Sequence, residues 1–243
     1  MARQLDISRT AAREIILDGY VKISDKTILK PGAVFPETIV ISIDGGGRKF
    51  VGRGGDKLEA ALQYFDLNVR GQVCLDVGAS TGGFTDCLLK RGATKIYAIE
   101  NGKNQLAAKL RSDPRVISME EKDIREVNAA WFNEPITFVV VDVSFISLTK
   151  VLEPISSILA SDAEMICLIK PQYEAGKGLV NKRGIVKDQA VRKRAVDNVC
   201  AFAQGLGLIN RGILPFPVTP LKNKNQEFLI HYSKSILTDL NLV

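Results

Sequence analysis

The stretch Cys74-Leu75-Asp76-Val77-Gly78-Ala79-Ser80-Thr81-Gly82-Gly83-Phe84-Thr85-Asp86 decides the fold. A short apolar run ends on an acid, a glycine-rich turn follows, and Phe84, Cys87, Leu88 and Leu89 then recur at helical spacing. That order predicts strand, tight loop and helix. Glycine at three of the six positions 78–83 lets the backbone turn sharply and approach a ligand closely. The amide N–H groups opening the helix point into the same space. Such a loop can hold a nucleotide-like cofactor, and it can equally be a plain connection.

The flanking chain favours a ligand. Lys95–Glu100, Arg115–Glu120, Phe138–Asp142 and Ile166–Lys170 each read as a buried strand, with helical patterns between them. Strands alternating with helices imply parallel βαβ units in a doubly wound α/β sheet. Ligands of such sheets bind beyond the carboxyl ends of the strands. Asp76, Glu100, Asp142 and Lys170 all fall at such ends, and Asp123 follows the Arg115–Glu120 strand closely. Glu100 lies 22 residues after Gly78, a suitable place for an acid that grips ribose hydroxyls. Downstream, Ile213–Val218, a polar turn and Gln226–Tyr232 read as a closing pair of strands, with Glu227 opening the last.

Upstream, residues 1–43 read as a small separate unit. Ser8 can cap a helix whose apolar face is Ala11, Ala12, Ile15 and Ile16, with Gly19 as its stop. Tyr20–Ile23 is a strand, Ser24-Asp25-Lys26 and Lys30-Pro31-Gly32 are turns, and Ile39–Ile43 is a further strand. Arg9 and Arg13 share one helix face. Asp44–Lys49 is a polar, glycine-rich break that suits a linker. Arg53-Gly54-Gly55-Asp56-Lys57-Leu58 then opens a helix with Leu58, Ala61, Leu62 and Phe65 on one face. Lys57 stands near its N-terminal end, where the dipole does not favour a cation; alone it reads as an exposed lysine.

Composition excludes several classes. Hydrophobic content of 46% and charged content of 25% are those of an ordinary globular protein. No apolar run approaches the roughly 20 residues that span a bilayer, and residues 1–20 do not read as an export signal. A soluble, cytoplasmic protein is expected. Cys74, Cys87, Cys167 and Cys200 have no metal-ligand spacing, so reduced thiols and no metal are expected. The single histidine, His231, argues against His-centred catalysis. Net charge is +6, and residues 170–194 carry eight Lys or Arg against two acids, as large an excess as the whole chain. A basic run beside a possible site points to a polyanionic substrate.

These motifs carry a family resemblance. Ser8, Arg9, Ala12, Ile16, Gly19, Val21 and Lys30-Pro31-Gly32 resemble the S-four-type RNA-binding domain, here N-terminally shortened. The loop spacing, G-x-x-x-G-G rather than G-x-G-x-x-G, looks with Glu100 like the S-adenosylmethionine (SAM) loop of Rossmann-like methyltransferases. Together with Arg53–Leu58, Asp142-Val143-Ser144-Phe145-Ile146-Ser147-Leu148, Ile169–Glu174, Gly184–Asp188 and Asn225–Phe228, the chain resembles the TlyA (hemolysin A) family of rRNA methyltransferases. These are relatives of the FtsJ/RrmJ ribose 2′-O-methyltransferases.

The resemblance implies a mostly parallel, seven-stranded sheet whose last strand is antiparallel. It divides the chain into an S-four-type domain over 1–46, a linker over 47–52 and a methyltransferase domain over 53–243. It carries a catalytic Lys–Asp–Lys–Glu tetrad onto Lys57, Asp142, Lys170 and Glu227. It assigns SAM to Asp76, Gly78, Ala79, Ser80, Thr81, Gly82, Gly83 and Phe84, with Glu100 at the ribose and Asp123 near the adenine. Relatives usually carry Asp where Glu100 stands, Asn where Asp123 stands, and Ser where Gly52 stands. Ribosomal RNA or a ribosomal subunit is the implied partner, contacted by Arg9, Arg13, Lys30, Arg53, Lys182, Arg183 and Lys187; oligomeric state is left open. A ribose hydroxyl needs a positioned base or electrostatic help, and a lysine can serve if burial or nearby positive charge lowers its pKa. Lys170 is the expected base or hydroxyl-orienting group, tuned by Asp142 and Lys57, with Glu227 completing the network. The alternatives are a membrane-active cytolysin and a non-catalytic SAM- or RNA-binding module.

Overall fold

The computed structural model describes residues 12, 13, 16, 21–36, 38–43, 49–176, 178–217 and 224–234. Near the N-terminus, β1 (Val21–Ile23) pairs antiparallel with both β2 (Lys26–Ile28) and β3 (Ser42–Ile43). Ser24 and Asp25 both take positive φ, 46° and 63°, which makes a two-residue primed turn matched to the twist of the flanking strands. The turn is therefore Ser24-Asp25, and Lys26 already belongs to β2. The expected Ile39–Ile43 strand contracts to its last two residues, because the Ile39 N–H closes a turn onto the Pro36 carbonyl. Arg13 is helical and exposed. Arg9, the Ser8 cap and residues 44–48 of the expected linker lie outside the described residues.

The remaining strands form one sheet. They are β4 (Val73–Val77), β5 (Lys95–Glu100), β6 (Val116–Glu120), β7 (Ile136–Val141), β8 (Leu159–Ile169), β9 (Leu208–Phe216) and β10 (Glu227–Lys234), in the order β6-β5-β4-β7-β8-β10-β9. The pairings among β4 to β8 are parallel, while β10 runs antiparallel between β8 and β9. Among the described residues, six α-helices accompany them: α1 (Arg53–Tyr64), α2 (Gly83–Lys90), α3 (Ala108–Arg111), α4 (Thr149–Ile158), α5 (Pro171–Glu174) and α6 (Gln189–Gly205).

Alternation along the central strands sends side chains into two cores. Leu75, Val77, Val139 and Val141 pack with Val151 and Leu152 of α4 and Val196 and Val199 of α6. Cys74, Phe138 and Val140 pack with Leu58 and Leu62 of α1 and Phe84 and Leu88 of α2. Both faces of the sheet are thus covered, which is why β7 reads Ile-Thr-Phe-Val-Val-Val with no polar alternation. Each fully buried Leu, Val or Phe contributes about 1.5–3 kcal/mol. Among the described residues no helix is long and apolar enough to cross a membrane, and no group of His, Cys, Asp or Glu is placed to hold a metal ion.

The topology sets the site. Asp76 and Val77 of β4 lie in register with Val140 and Val141, so Asp142 emerges beside the glycine loop. Lys170 follows β8 at the same edge. Because β10 is antiparallel, its first residues lie at that edge too, with Phe228 paired to Ile169. Four strand ends and the start of a fifth therefore face one space.

Candidate active site

Gly78 opens the loop at φ +80°, and its N–H and that of Ala79 both reach the Ile99 carbonyl, at 2.9 and 3.1 Å. A Cβ at Gly78 would lie 2.5 Å from the Asp142 carbonyl oxygen, so glycine is required for the two strand ends to approach. Ser80, also at positive φ, donates its N–H to Glu100 Oε2 at 3.0 Å, and Gly102 donates to Oε1 at 2.7 Å. Glu100 thus fixes the loop as well as facing the cavity. Gly52 lies so close to the loop that a Cβ would sit 3.0 Å from Thr81 Oγ1.

Asp76 lies behind the loop with no exposed surface. Its Oδ2 accepts from Thr85 Oγ1 at 2.6 Å, while Oδ1 has no hydrogen-bond partner. Burial pushes this carboxyl up to about 7; the Thr85 hydrogen bond opposes the shift, and Asp142 and Glu100 reinforce it.

In front of the loop is a cavity of about 1020 Å³. Its wall includes Gly78 to Thr81, Gly83, Phe84, Glu100 and Asp123, but neither Asp76 nor Gly82, which support the loop from outside. Gly82 caps α2 at φ +96°. Asp123 has a local partner besides its place in the wall. It caps the 3₁₀ turn Ile124–Glu126, accepts the Arg125 N–H at 2.9 Å, and meets the Arg125 guanidinium through both oxygens. That guanidinium holds its carboxyl below the usual range. An adenine contact would have to share an oxygen already engaged.

The far wall carries charge. Lys57 of α1 pairs with Glu227 at 2.7 Å, and Lys170 pairs with Asp142 at 2.5 Å; all four residues line the cavity. Lys57 is therefore not the free surface lysine its position alone suggested. Burial raises the Asp142 pKa, but Lys170 and Lys57 together carry it below the ordinary carboxylate value. Burial likewise disfavours the Lys170 charge, yet Asp142, with Glu227 and Tyr173 beyond it, holds the ammonium above the ordinary lysine value. This corrects the expected direction. Burial is present, but a carboxylate 2.5 Å away outweighs it, and Lys170 is cationic at neutral pH.

Two features carry no signal of their own in the sequence. Lys170 Nζ also donates to Ser144 Oγ at 2.8 Å. Glu174, at the end of α5, accepts from Ser147 Oγ at 2.5 Å and from the Leu148 N–H at 2.8 Å. Between these anchors Phe145 takes φ +66°, is 89% exposed, and lies 5.4 Å from the Tyr173 ring. Ser144 and Glu174 both stand inside segments that carry the family resemblance, but their partners are set by folding.

A glycine-bearing loop, an acid at the next strand end and a charged far wall fit a methyl donor on one side and a nucleophile on the other. Residues 50–234 match the family described as FtsJ-like methyltransferase. The chain belongs to this family. It is 39% identical over 229 residues to the 16S/23S rRNA (cytidine-2′-O)-methyltransferase TlyA of Mycobacterium tuberculosis, covering 94% of this chain and 85% of that one. It is 41% identical over 234 residues to Hemolysin A of Brachyspira hyodysenteriae, covering 93% of each. A solved structure of a hemolysin-named protein from Streptococcus thermophilus superposes with a TM-score of 0.77 at 37% identity, over 94% of this chain and 83% of that one. This FtsJ-like chain is a methyltransferase, and its cofactor is SAM, which supplies an activated methyl group to a bound nucleophile. The missing Cβ at Gly78 and the Glu100 carboxylate facing the cavity suit that cofactor.

Around this FtsJ-like site the basic residues divide. Arg53 is exposed and lines the cavity, and Lys30 is exposed beyond β2. Lys182, Arg183 and Lys187 are exposed on the segment between α5 and α6, while Lys170, counted with them in the sequence, is buried in the site. That segment has a defined shape. Asn181 Oδ1 accepts from the N–H groups of Arg183 and Ile185, at 2.8 and 3.1 Å. Asn225, two residues before Glu227, bonds both Gly184 and Val186, and Arg192 bonds the Val186 and Lys187 carbonyls.

Proposed function

We propose that this protein transfers a methyl group from SAM to a ribose 2′-hydroxyl of ribosomal RNA, a cytidine by analogy with its TlyA relative. The observation that carries the reading is the double ion pair, Lys57–Glu227 and Lys170–Asp142, on the cavity wall facing the glycine loop. The loop 78–84 holds the methionine end of the cofactor, Asp76 supports it, and Glu100 meets the ribose. Asp123, with Arg125 beside it, borders the adenine end. Lys170 orients the incoming hydroxyl, Asp142 and Lys57 set its charge, and Glu227 fixes Lys57. As the O–CH3 bond forms, the S–CH3 bond of the sulfonium breaks and S-adenosylhomocysteine leaves, while the hydroxyl proton passes to solvent water. The transfer chiefly requires the hydroxyl in line with the methyl group, and this rigid charged wall supplies the alignment.

RNA contacts fall to Arg53, Lys182, Arg183 and Lys187 around the site, and to Arg9, Arg13 and Lys30 of an N-terminal S-four-type domain over 1–46, joined through 47–52 to the methyltransferase domain over 53–243. The protein acts in the cytoplasm on a ribosomal subunit. The reading is tested by incubating purified 30S and 50S subunits with the protein and SAM and mapping ribose methylation by mass spectrometry. One or more 2′-O-methylcytidines are expected. SAM binding with no new methylation on either subunit overturns it.

A further inference from the structure

We propose that Ser144 is a positioning residue of the methyl-transfer site, holding the rotation of the Lys170 ammonium beside Asp142 so that an N–H is directed at the incoming hydroxyl. This rests on the activity proposed above. An ammonium carries three N–H donors and no acceptor, so an ion pair with Asp142 that sets its place and a hydrogen bond to Ser144 that sets its rotation confine the direction of the donors left over. In this structure Lys170 Nζ lies 2.5 Å from Asp142 Oδ1 and 2.8 Å from Ser144 Oγ, and Lys170 itself borders the cavity. One partner alone would leave the ammonium free to rotate about the axis to Asp142.

The serine is itself held. Asp142 and Ser144 belong to one strand-to-helix connection, leaving β7 and entering α4. Lys170 at the start of α5 grips the front of that connection through Asp142 and Ser144. Glu174 at the end of α5 grips its rear through Ser147 and Leu148. A helix of one turn thus clamps the connection at both ends. Phe145 between the grips is held at φ +66°, a conformation that costs a non-glycine residue and persists only where the surroundings enforce it. The connection also passes within van der Waals reach of Gly78, so its position is tied to the cofactor loop.

A hydroxyl accepting from an ammonium stabilises the charged form, so its removal lowers the Lys170 pKa. A residue that only packed the connection would leave that pKa where it was.

The test compares wild type with Ser144→Ala, Ser144→Thr and Ser144→Cys in single-turnover methylation of the responsive ribosomal subunit, with SAM affinity measured by calorimetry. Ser144→Ala is expected to lower the rate about ten- to a hundredfold, the scale of one hydrogen bond to a charged group, with the KM for the subunit unchanged. The limb of its pH–rate profile that reports Lys170 is expected to move to lower pH, with SAM affinity within about twofold of wild type. Ser144→Thr, which keeps the hydroxyl, is expected to retain most of the rate. Ser144→Cys, a close isostere with a weak acceptor, is expected to follow Ser144→Ala and decides the matter should the alanine variant be unstable. An active wild type with unchanged rate and profile in the alanine or cysteine variant overturns the role of Ser144 alone. An inactive wild type overturns the underlying activity instead.

Discussion

Asp142 Oδ1 lies 2.5 Å from Lys170 Nζ, across the carboxyl ends of two neighbouring parallel strands. The pair is largely removed from solvent, so each member stabilises the other's charge. Removing one partner of such a pair leaves a buried charge without compensation. Asp142→Asn is therefore expected to abolish methyl transfer and to destabilise the fold by about 1–3 kcal/mol, the lower end reflecting the open cavity beside it. Chemical denaturation and a methylation assay check both. Unaltered stability would show that water, and not Asp142, solvates Lys170.

Asp76 gives a pH signature. Its carboxyl titrates near 7 in the folded protein, against 3.8 as the ordinary value, so the native state binds the extra proton. Stability from this group is fully present below the ordinary value and is lost as pH rises through about 7. Asp76→Asn, which keeps the shape without the charge, is expected to gain stability relative to wild type between pH 5 and pH 8, by about 2–3 kcal/mol. Urea titrations of both proteins at the two pH values measure it. A constant difference would mean that Asp76 does not titrate around 7 in the folded protein.

Glu59 runs the other way. The Arg91 guanidinium, against the effect of burial and with help from Lys49, holds its carboxyl down at about 2, below the ordinary 4.5. Its stabilising effect is present above the ordinary value and is lost as pH falls through about 2. Because Arg91 and Lys49 are partly solvent-exposed, Glu59→Gln is expected to cost only about 1–2 kcal/mol at pH 7, fading on acidification. Thermal melts at pH 7 and pH 3 test this, and a cost independent of pH would argue for packing as its source.

Much of this is legible in the sequence, for a physical reason. Parallel strands covered on both faces must be continuously apolar, so Phe138–Val141 and Ile166–Ile169 stand out, and the first polar residue after each marks the ligand edge. That mark identifies Asp142 and Lys170. Ion-pair partners carry no such mark, because Lys57 and Glu227 are 170 residues apart and meet only through the antiparallel insertion of β10. The sign of the Lys170 shift is hidden for the same reason, since it depends on a distance and not on a residue type. The local pairing of Asp123 is hidden because Arg125, two residues on, is an ordinary surface arginine in sequence and a bidentate partner in the fold. The short β3 yields to a local turn at Pro36 that competes with strand pairing.

Two glycines with nearly the same backbone separate strain from space. Gly78 and Gly184 sit at φ +80° and +76°, but a Cβ at Gly78 would strike the Asp142 carbonyl at 2.5 Å while one at Gly184 meets nothing within 4 Å. Gly184→Ala is expected to cost about 1 kcal/mol, the cost of the left-handed conformation alone. Gly78→Ala adds a backbone clash and is expected to cost more than about 2 kcal/mol and to lose SAM binding. Denaturation and calorimetry on the two variants distinguish the contributions, and equal costs would mean that the β4 and β7 ends separate freely.

The basic segment before α6 tests how RNA is held. Lys182, Arg183 and Lys187 are exposed, and the shape of their segment is set by Asn181, Asn225 and Arg192 instead. Their replacement by serine should therefore leave the fold and SAM affinity intact. Every phosphate that is no longer neutralised takes about 0.7–0.9 off the slope of log affinity against log salt. With all three replaced, the slope for binding to a ribosomal subunit is expected to fall by about 2–3, with affinity dropping most at low salt. Filter binding over a range of potassium chloride concentrations measures the slope, and isothermal calorimetry with SAM controls for the cofactor site. An unchanged slope would mean that these cations face solvent in the complex and that RNA approaches from the Arg53 side of the cavity.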